Sequence, residues 1–172
     1  MCLKGGDTLL EAFEKGLSKS YQLHIVTQSG YFDEETKWKI HNTPNVFTYI
    51  DFKLGSDELH TLYQNADVLI HPTNLDTSSW VALEAMASGV LVIINPIAGI
   101  SDIVLDGMTG LHIPPKNPEA IIEAVHKLFG DDNFRQNIIT NARRHVEQNF
   151  DVVRNTGILM GWIKELIDER RG

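Results

Sequence analysis

Two carboxylates, Asp76 and Glu84, stand eight positions apart around a short polar loop that leads into an apolar segment. Glu84 is the charged residue of the run VALEAMA at 81–87, where a charge is costly unless another group pairs with it. A carboxylate repels phosphate, but its two oxygens accept hydrogen bonds from a vicinal diol. The intervening loop precedes a helix start, whose free backbone N–H groups suit phosphate. The pattern indicates a polyhydroxylated ligand that carries phosphate.

Helix and strand patterns alternate along the chain and would position this loop. We predict strands at 23–26, 45–50, 67–71, 90–94 and 111–113, and helices capped by Asp7 and at 33–41, 56–66, 80–88, 98–105 and from 117. The last 40 or so residues are predicted to be a helical tail, 131–172, that is interrupted near 149–151. Strict alternation predicts an α/β fold, a doubly wound parallel sheet with helices on both faces, and a single domain over 1–172.

Ligands of such sheets bind beyond the carboxyl ends of the strands. The loops after His71 and after Ile94 both lie at that edge of the predicted sheet. His71 has no clear charge partner in the sequence, so we interpret it as a packing residue rather than a catalytic one.

Composition narrows the classes of partner. The net charge of −8 argues against a general nucleic-acid or anionic-membrane binder, so we expect no nucleic-acid partner. The seven histidines do not occur at metal-ligand spacing, and we expect no metal site and no cofactor. Cys2 is the only cysteine, which excludes an internal disulfide and agrees with a cytosolic setting. No apolar run in the sequence is long enough to span a bilayer, and residues 1–6 do not resemble a signal peptide.

Five segments, in order, resemble motifs of the family 4 glycosyltransferases. Residues 4–13, KGGDTLLEAF, resemble KGxDxLIEAF, and residues 59–68, LHTLYQNADV, resemble LxxLYxxADV. Residues 71–89 resemble PSxxEGxxxxxLEAMAxG, 98–104 resemble GGxxEVV, and 106–120 resemble DGxxGLLVPPxDPEAL. The resemblance is to the C-terminal, Rossmann-like lobe of these two-lobe (GT-B) enzymes, which binds the nucleotide-sugar donor. It implies that the N-terminal acceptor lobe is absent from this sequence.

The resemblance also implies roles for individual residues. Glu84 matches the glutamate that accepts hydrogen bonds from the nucleotide ribose, and Asp76 stands where a glutamate binds hydroxyls of the donor sugar. Lys4 matches the lysine that faces the donor diphosphate. The rest of the expected donor site consists of small, hydroxyl-bearing or helix-start residues, namely Thr77, Ser78, Ser79, Trp80 and Gly99.

Several of these residues have a competing interpretation, and Gly99 could equally be a plain turn residue. Glu84 could be an exposed helix residue without a role, and Lys4 an exposed lysine near the start of the chain. Asp76 could cap the following helix. We expect Trp80 to pack in the core, with a place in the sugar pocket as the weaker alternative.

The implied function is transfer of a sugar, with retention of anomeric configuration, from a nucleoside diphosphate to a glycan, lipid or small-molecule acceptor. Asp76, Glu84 and Lys4 are the expected catalytic residues. We expect the isolated chain to bind its donor without transferring sugar, and the protein to be cytoplasmic or attached peripherally to the inner membrane face through the missing lobe. The alternatives are a non-catalytic Rossmann-like nucleotide-binding or assembly module, and an epimerase or phosphorylase of the same two-lobe architecture.

Overall fold

The computed structural model of the chain describes residues 4–28, 30, 32–53 and 55–170. Its strands are β1 (Leu23–Thr27), β2 (Val46–Ile50), β3 (Val68–His71), β4 (Leu91–Ile94) and β5 (Leu111–His112). Its helices are α1 (Gly6–Ala12), α2 (Glu34–Asn42), α3 (Asp57–Asn65), α4 (Trp80–Ala87), α5 (Ile100–Ile103), α6 (Pro118–Gly130), α7 (Asp132–Asn149) and α8 (Val152–Glu169). The predicted order of strands and helices is confirmed, and Cys2 lies outside the described residues.

All strand pairs are parallel, as the alternation predicted. The strands form two hydrogen-bonded ladders. One ladder joins β1 to β2, and the other joins β3, β4 and β5 in that order. Residues of both ladders, including Leu23 and Leu91, belong to one hydrophobic cluster, so the ladders share a core. The α/β class is therefore confirmed, with the strand hydrogen bonding divided into two ladders rather than one continuous sheet.

Strand β4 lies between two layers of helices. All four of its residues are buried, as expected for a strand covered on both faces. Because strand side chains alternate in direction, Leu91 and Ile93 join the cluster that contains residues of α1 and α6. Val92 and Ile94 join a second cluster with residues of α4, α5 and α7. The loop that contains Gly99 follows the carboxyl end of this strand.

Two predicted helix boundaries are wrong. Gly5, with φ 70°, is the N-cap of α1, whereas Asp7 lies within the first turn and makes no capping bond. Helix α1 then continues as a π-helical segment, Phe13–Leu17. Helix α5 is shorter than predicted because Ala98 takes a left-handed conformation, with φ 48°, and Val104 is extended.

The helical tail is confirmed as α7 and α8, which are separated at Phe150 and Asp151. Helix α7 packs on the domain through Ile138 and Ala142, and Arg143 donates a hydrogen bond to the Ala87 carbonyl at the end of α4. Helix α8 is exposed along its whole length. None of the helices in the described part of the chain is both long and apolar enough to cross a bilayer.

Candidate functional site

The loop from β3 to α4 is held in place by buried polar groups. Pro72 and Thr73 follow β3 and are buried. The Thr73 hydroxyl donates to the Leu75 carbonyl at 3.1 Å. Asn95, at the end of β4, donates from Nδ2 to the Thr73 carbonyl at 2.9 Å. These two hydrogen bonds satisfy polar groups that have no access to water. They therefore fix the loop that presents Asp76 to the ends of two neighbouring strands, β3 and β4.

Asp76 is the centre of a polar cluster at the carboxyl end of β3. Its Oδ2 accepts hydrogen bonds from Lys4 Nζ at 2.9 Å and from His71 Nε2 at 3.1 Å. Its Oδ1 accepts from the Thr77 N–H at 2.9 Å. The Asp76 side chain is 14% exposed and that of Lys4 is 51% exposed. The fold thus brings Lys4 to a carboxylate that lies 72 positions away in the sequence.

The pKa values of Asp76 and His71 both lie below their ordinary values. Burial acts to raise the pKa of Asp76, but the hydrogen bonds from Lys4 and His71 outweigh burial and lower it. Burial lowers the pKa of His71, and the Asp76 hydrogen bond only opposes this effect. His71 is therefore neutral at pH 7. Because an ionised carboxylate only accepts, the neutral ring carries its hydrogen on Nε2.

The charge partner of His71 is a correction to the sequence interpretation. His71 is not a packing residue alone, since its ring faces the Asp76 carboxylate at hydrogen-bond distance. The sequence did not reveal this pair because it depends on the loop turning back over the end of β3. The separation of five positions matches no helix or strand spacing.

Gly5 brings Lys4 close to this loop. A Cβ atom at Gly5 would lie 1.8 Å from the Pro72 carbonyl oxygen, so the two backbones approach more closely than any side chain allows. The positive φ of 70° also favours glycine. Gly5 was not singled out in the sequence, although a glycine directly before a helix is a signal that could have identified it.

The start of α4 is capped by Ser79. Its side chain accepts a hydrogen bond from the Ala82 N–H at 3.3 Å and is buried. The interpretation of Asp76 as the helix cap is therefore wrong. Trp80 is 73% exposed, which contradicts the expected core position. The reason is its place in the first turn of α4, whose buried face is formed by Ala82 and residues farther along the helix.

Glu84 lies on the exposed side of α4, and its partner is a tyrosine hydroxyl. Tyr63 Oη donates to Glu84 Oε2 at 3.0 Å. Ala85 and Met86, the two residues after Glu84, are buried, so the charge stands on the solvent-facing side of the helix, four positions after the exposed Trp80. Burial, and then the Glu84 charge and hydrogen bond, raise the pKa of the Tyr63 phenol. The hydroxyl therefore stays protonated and acts as a donor.

The loop after β4 contacts the loop after β3. The Gly99 N–H donates to the Thr77 carbonyl at 3.2 Å, and a Cβ atom at Gly99 would lie 3.1 Å from that oxygen. Gly99 therefore lies beside the loop that contains Thr77, as expected. The close approach of the two backbones needs a small residue at this position. Thr77 and Ser78 are exposed beside it.

Two pairs of the predicted residues are in contact. Lys4 meets Asp76, Gly99 meets the loop at Thr77, and Glu84 stands on the helix that this loop enters. Within the part of the chain that the structure describes, no group of three His, Cys, Asp or Glu side chains is placed to bind a metal ion. The arrangement offers two hydrogen-bonded carboxylates, one ammonium and a helix start, groups that can bind hydroxyls and phosphate.

The sequence profile of the family described as glycosyl transferases group 1 matches residues 3–145. The chain belongs to this family. It is 30% identical over 152 residues to the capsular polysaccharide biosynthesis glycosyltransferase CapM of Staphylococcus aureus, a match that covers 86% of the chain and 39% of CapM. The chain spans 38% or 39% of the length of the first curated relatives that it matches.

Solved structures of glycosyltransferases share the fold. The C-terminal domain of a glycosyl transferase group 1 family protein (LpcC) from Francisella tularensis superposes with a TM-score of 0.76 and 22% identity, covering 87% of this chain and 81% of that domain. Anabaena HepE in complex with UDP superposes with a TM-score of 0.82 and 18% identity, covering 95% of this chain and 46% of HepE. The fold is thus that of a GT-B glycosyltransferase C-terminal domain.

Proposed function

We propose that residues 1–172 form the donor-binding domain of a retaining family 4 glycosyltransferase whose sugar comes from a nucleoside diphosphate. The observation that carries the proposal is the contact between Lys4 and Asp76. An ammonium and a carboxylate meet at the carboxyl end of a parallel strand, directly before a helix start, which is where nucleotides bind in such folds. Membership in the group 1 glycosyl transferases supports the class of reaction.

In this proposal, each group of the site acts on a different part of the donor. Glu84 accepts hydrogen bonds from the ribose diol, and Asp76 accepts them from hydroxyls of the sugar. Lys4 and the free N–H groups at the start of α4 hold the diphosphate and stabilise the charge that develops as it leaves. The proposal needs neither a metal nor another cofactor, because the ammonium and the helix start supply the positive potential.

The lowered pKa of Asp76 supports this division of roles. Asp76 is ionised at neutral pH, so it accepts hydrogen bonds and repels phosphate, and hydroxyls are the partners that suit it. Its 2.9 Å contact with Lys4 places an ammonium beside it, so one small region serves a hydroxyl and a phosphate together. The HepE complexes, one with UDP and one with UDP-glucose, support a nucleoside diphosphate sugar as the donor.

Titration calorimetry or ligand-observed NMR with UDP, GDP and ADP tests donor binding. We expect one of them to bind the chain, and Glu84→Gln to weaken it by about tenfold, the effect of losing a hydrogen bond to a charged group. Glu123→Gln is the matched control, because Glu123 is another exposed glutamate within a helix, α6. No binding of any of the three, or an equal effect of both substitutions, would contradict the proposal.

Catalysis is proposed to require a second, N-terminal lobe that carries the acceptor and any peripheral attachment to the cytoplasmic face of a membrane. The length of the relatives supports this, since the chain spans 38% or 39% of them. The name of CapM supports a role in polysaccharide biosynthesis. We expect the chain alone to bind donor but transfer no sugar, and a protein that includes the lobe to transfer it, as measured by release of nucleoside diphosphate. Binding without transfer in both would favour a non-catalytic module instead.

A further inference from the structure

We propose that Tyr63 is the positioning residue for Glu84. Its hydroxyl determines how strongly the site prefers a nucleotide with a ribose diol over one whose ribose lacks the 2′- and 3′-hydroxyls. This inference rests on the proposed function. Tyr63 Oη donates to Glu84 Oε2 at 3.0 Å, across 21 positions of sequence. The contact joins α3 to α4, so neither helix alone could form it.

The Tyr63 ring is held where its hydroxyl cannot easily move away. The ring packs against the second hydrophobic cluster, together with Leu69 of β3 and Leu83 of α4. Helix α3 is itself fixed at its start by Ser56, whose side chain accepts from the Leu59 N–H at 3.3 Å. A tyrosine has few rotatable bonds, so a packed ring presents its hydroxyl in one direction.

Glu84 needs such a partner because its side chain is exposed. An exposed glutamate samples several rotamers, and a ligand that binds one of them must first immobilise the side chain. The hydrogen bond from Tyr63 selects one orientation before the ligand arrives. A carboxylate has about four acceptor positions and Tyr63 occupies one of them, so the remaining positions suffice for a vicinal diol.

The hydroxyl also preserves the charge of the site. Because Tyr63 is neutral, it orients Glu84 without cancelling the negative charge that attracts hydroxyl donors. An ammonium in the same place would compete with the diol for the carboxylate. The carboxylate of Asp76, by contrast, is paired with an ammonium.

The test compares binding of UDP and 2′,3′-dideoxy-UDP to the chain by calorimetry. We expect the unsubstituted chain to prefer UDP by about tenfold, and Tyr63→Phe to reduce that preference to about threefold or less. Tyr49→Phe removes a hydroxyl of the other ladder, whose partner is His24, and should leave the preference unchanged. If Tyr63→Phe weakens both ligands equally, its role is merely structural and the inference is overturned.

A second measurement keeps the two proposals distinguishable. Without ligand, the NMR chemical shift of the Tyr63 ring carbon that bears the hydroxyl should change in Glu84→Gln, because the hydroxyl loses its charged acceptor. An unchanged chemical shift would show that the two side chains do not interact and would overturn the inference by itself. If the chemical shift changes but the unsubstituted chain does not distinguish UDP from its dideoxy form, the contact is real and the assignment of Glu84 to the ribose is wrong.

Discussion

The close approach of Gly5 to Pro72 predicts that a single methyl group at position 5 disconnects Lys4 from the site. In Gly5→Ala the Cβ atom would start 1.8 Å from the Pro72 carbonyl oxygen, and that separation must lengthen to at least 3.0 Å. Pro72 is buried, so the segment that carries Lys4 has to move instead. If the Lys4 ammonium moves with its backbone, a displacement of this size lengthens the 2.9 Å bond to Asp76 past about 3.2 Å, beyond which hydrogen bonds weaken.

The expected loss of stability has two parts. A left-handed conformation costs an alanine about 1 kcal/mol more than a glycine. The backbone clash adds about 1–2 kcal/mol, in the range of overpacking a filled site. The half-exposed ion pair of Lys4 and Asp76 adds little, since surface pairs contribute about 0–1 kcal/mol. We therefore expect Gly5→Ala to lower the free energy of unfolding by about 2–3 kcal/mol, an amount dominated by backbone terms.

Gly107→Ala is the matched control for this change. Gly107 has a φ of 69°, close to that of Gly5, but nothing lies within 4 Å of its added Cβ. It should lose only the conformational part, about 1 kcal/mol. Urea unfolding of both variants gives the difference, and the affinity for UDP reports whether Lys4 still reaches the site. Equal losses in the two variants, with unchanged affinity, would refute the argument from the close approach.

The remaining predictions concern a helix cap and the charges around Asp76. Asn117→Ala removes the side-chain oxygen that accepts from the Ala120 N–H and should lower the free energy of unfolding by about 1 kcal/mol, as urea denaturation will show. Asp76→Asn removes the carboxylate that pairs with Lys4. Calorimetry should therefore show tighter binding of UDP, but a smaller contribution of the glucose to the affinity for UDP-glucose. Because folding lowers the pKa of His71, its contribution to stability is present above pH 6.5 and is lost as the pH falls through the folded value. Urea unfolding across this pH range should show a fall in the free energy of unfolding with falling pH, and His71→Asn should lack this dependence.

The fold was largely predictable because its signals are local. The buried run of β4 and the start of α6 at Asn117, Pro118 and Glu119 follow from hydrophobic pattern and capping chemistry. Asp7 was misassigned as a cap because a glycine in the left-handed conformation can begin a helix without any side-chain acceptor. The hydrophobic pattern of the sequence alone does not distinguish a helix that starts at a side-chain cap from one that starts at a left-handed glycine.

The site was predictable only where a residue matched a family motif. The resemblance grouped Lys4 with Asp76, and the structure brings them together. His71 and Tyr63 were missed as partners because their contacts depend on a loop turning back and on two helices packing together. Trp80 was misjudged because a large aromatic residue favours the core on average, whereas position 80 lies on the solvent-facing side of α4, one turn before the exposed Glu84.

For the proposed nucleotide-sugar donor, the charges of the site imply that helix-start dipoles would provide most of the phosphate binding. Lys4 is compensated by Asp76, His71 is neutral at pH 7, and Glu84 adds a negative charge, so these four side chains carry no net positive charge. A diphosphate therefore depends on the N–H groups at the start of α4 and on Lys4 exchanging one anionic partner for another. Such an exchange is favourable when the donor's sugar hydroxyls replace Lys4 as hydrogen-bond donors to Asp76. In the proposed function, the sugar and the phosphate would then bind as one event, and the pair of Lys4 and Asp76 would couple recognition of the two parts of the donor.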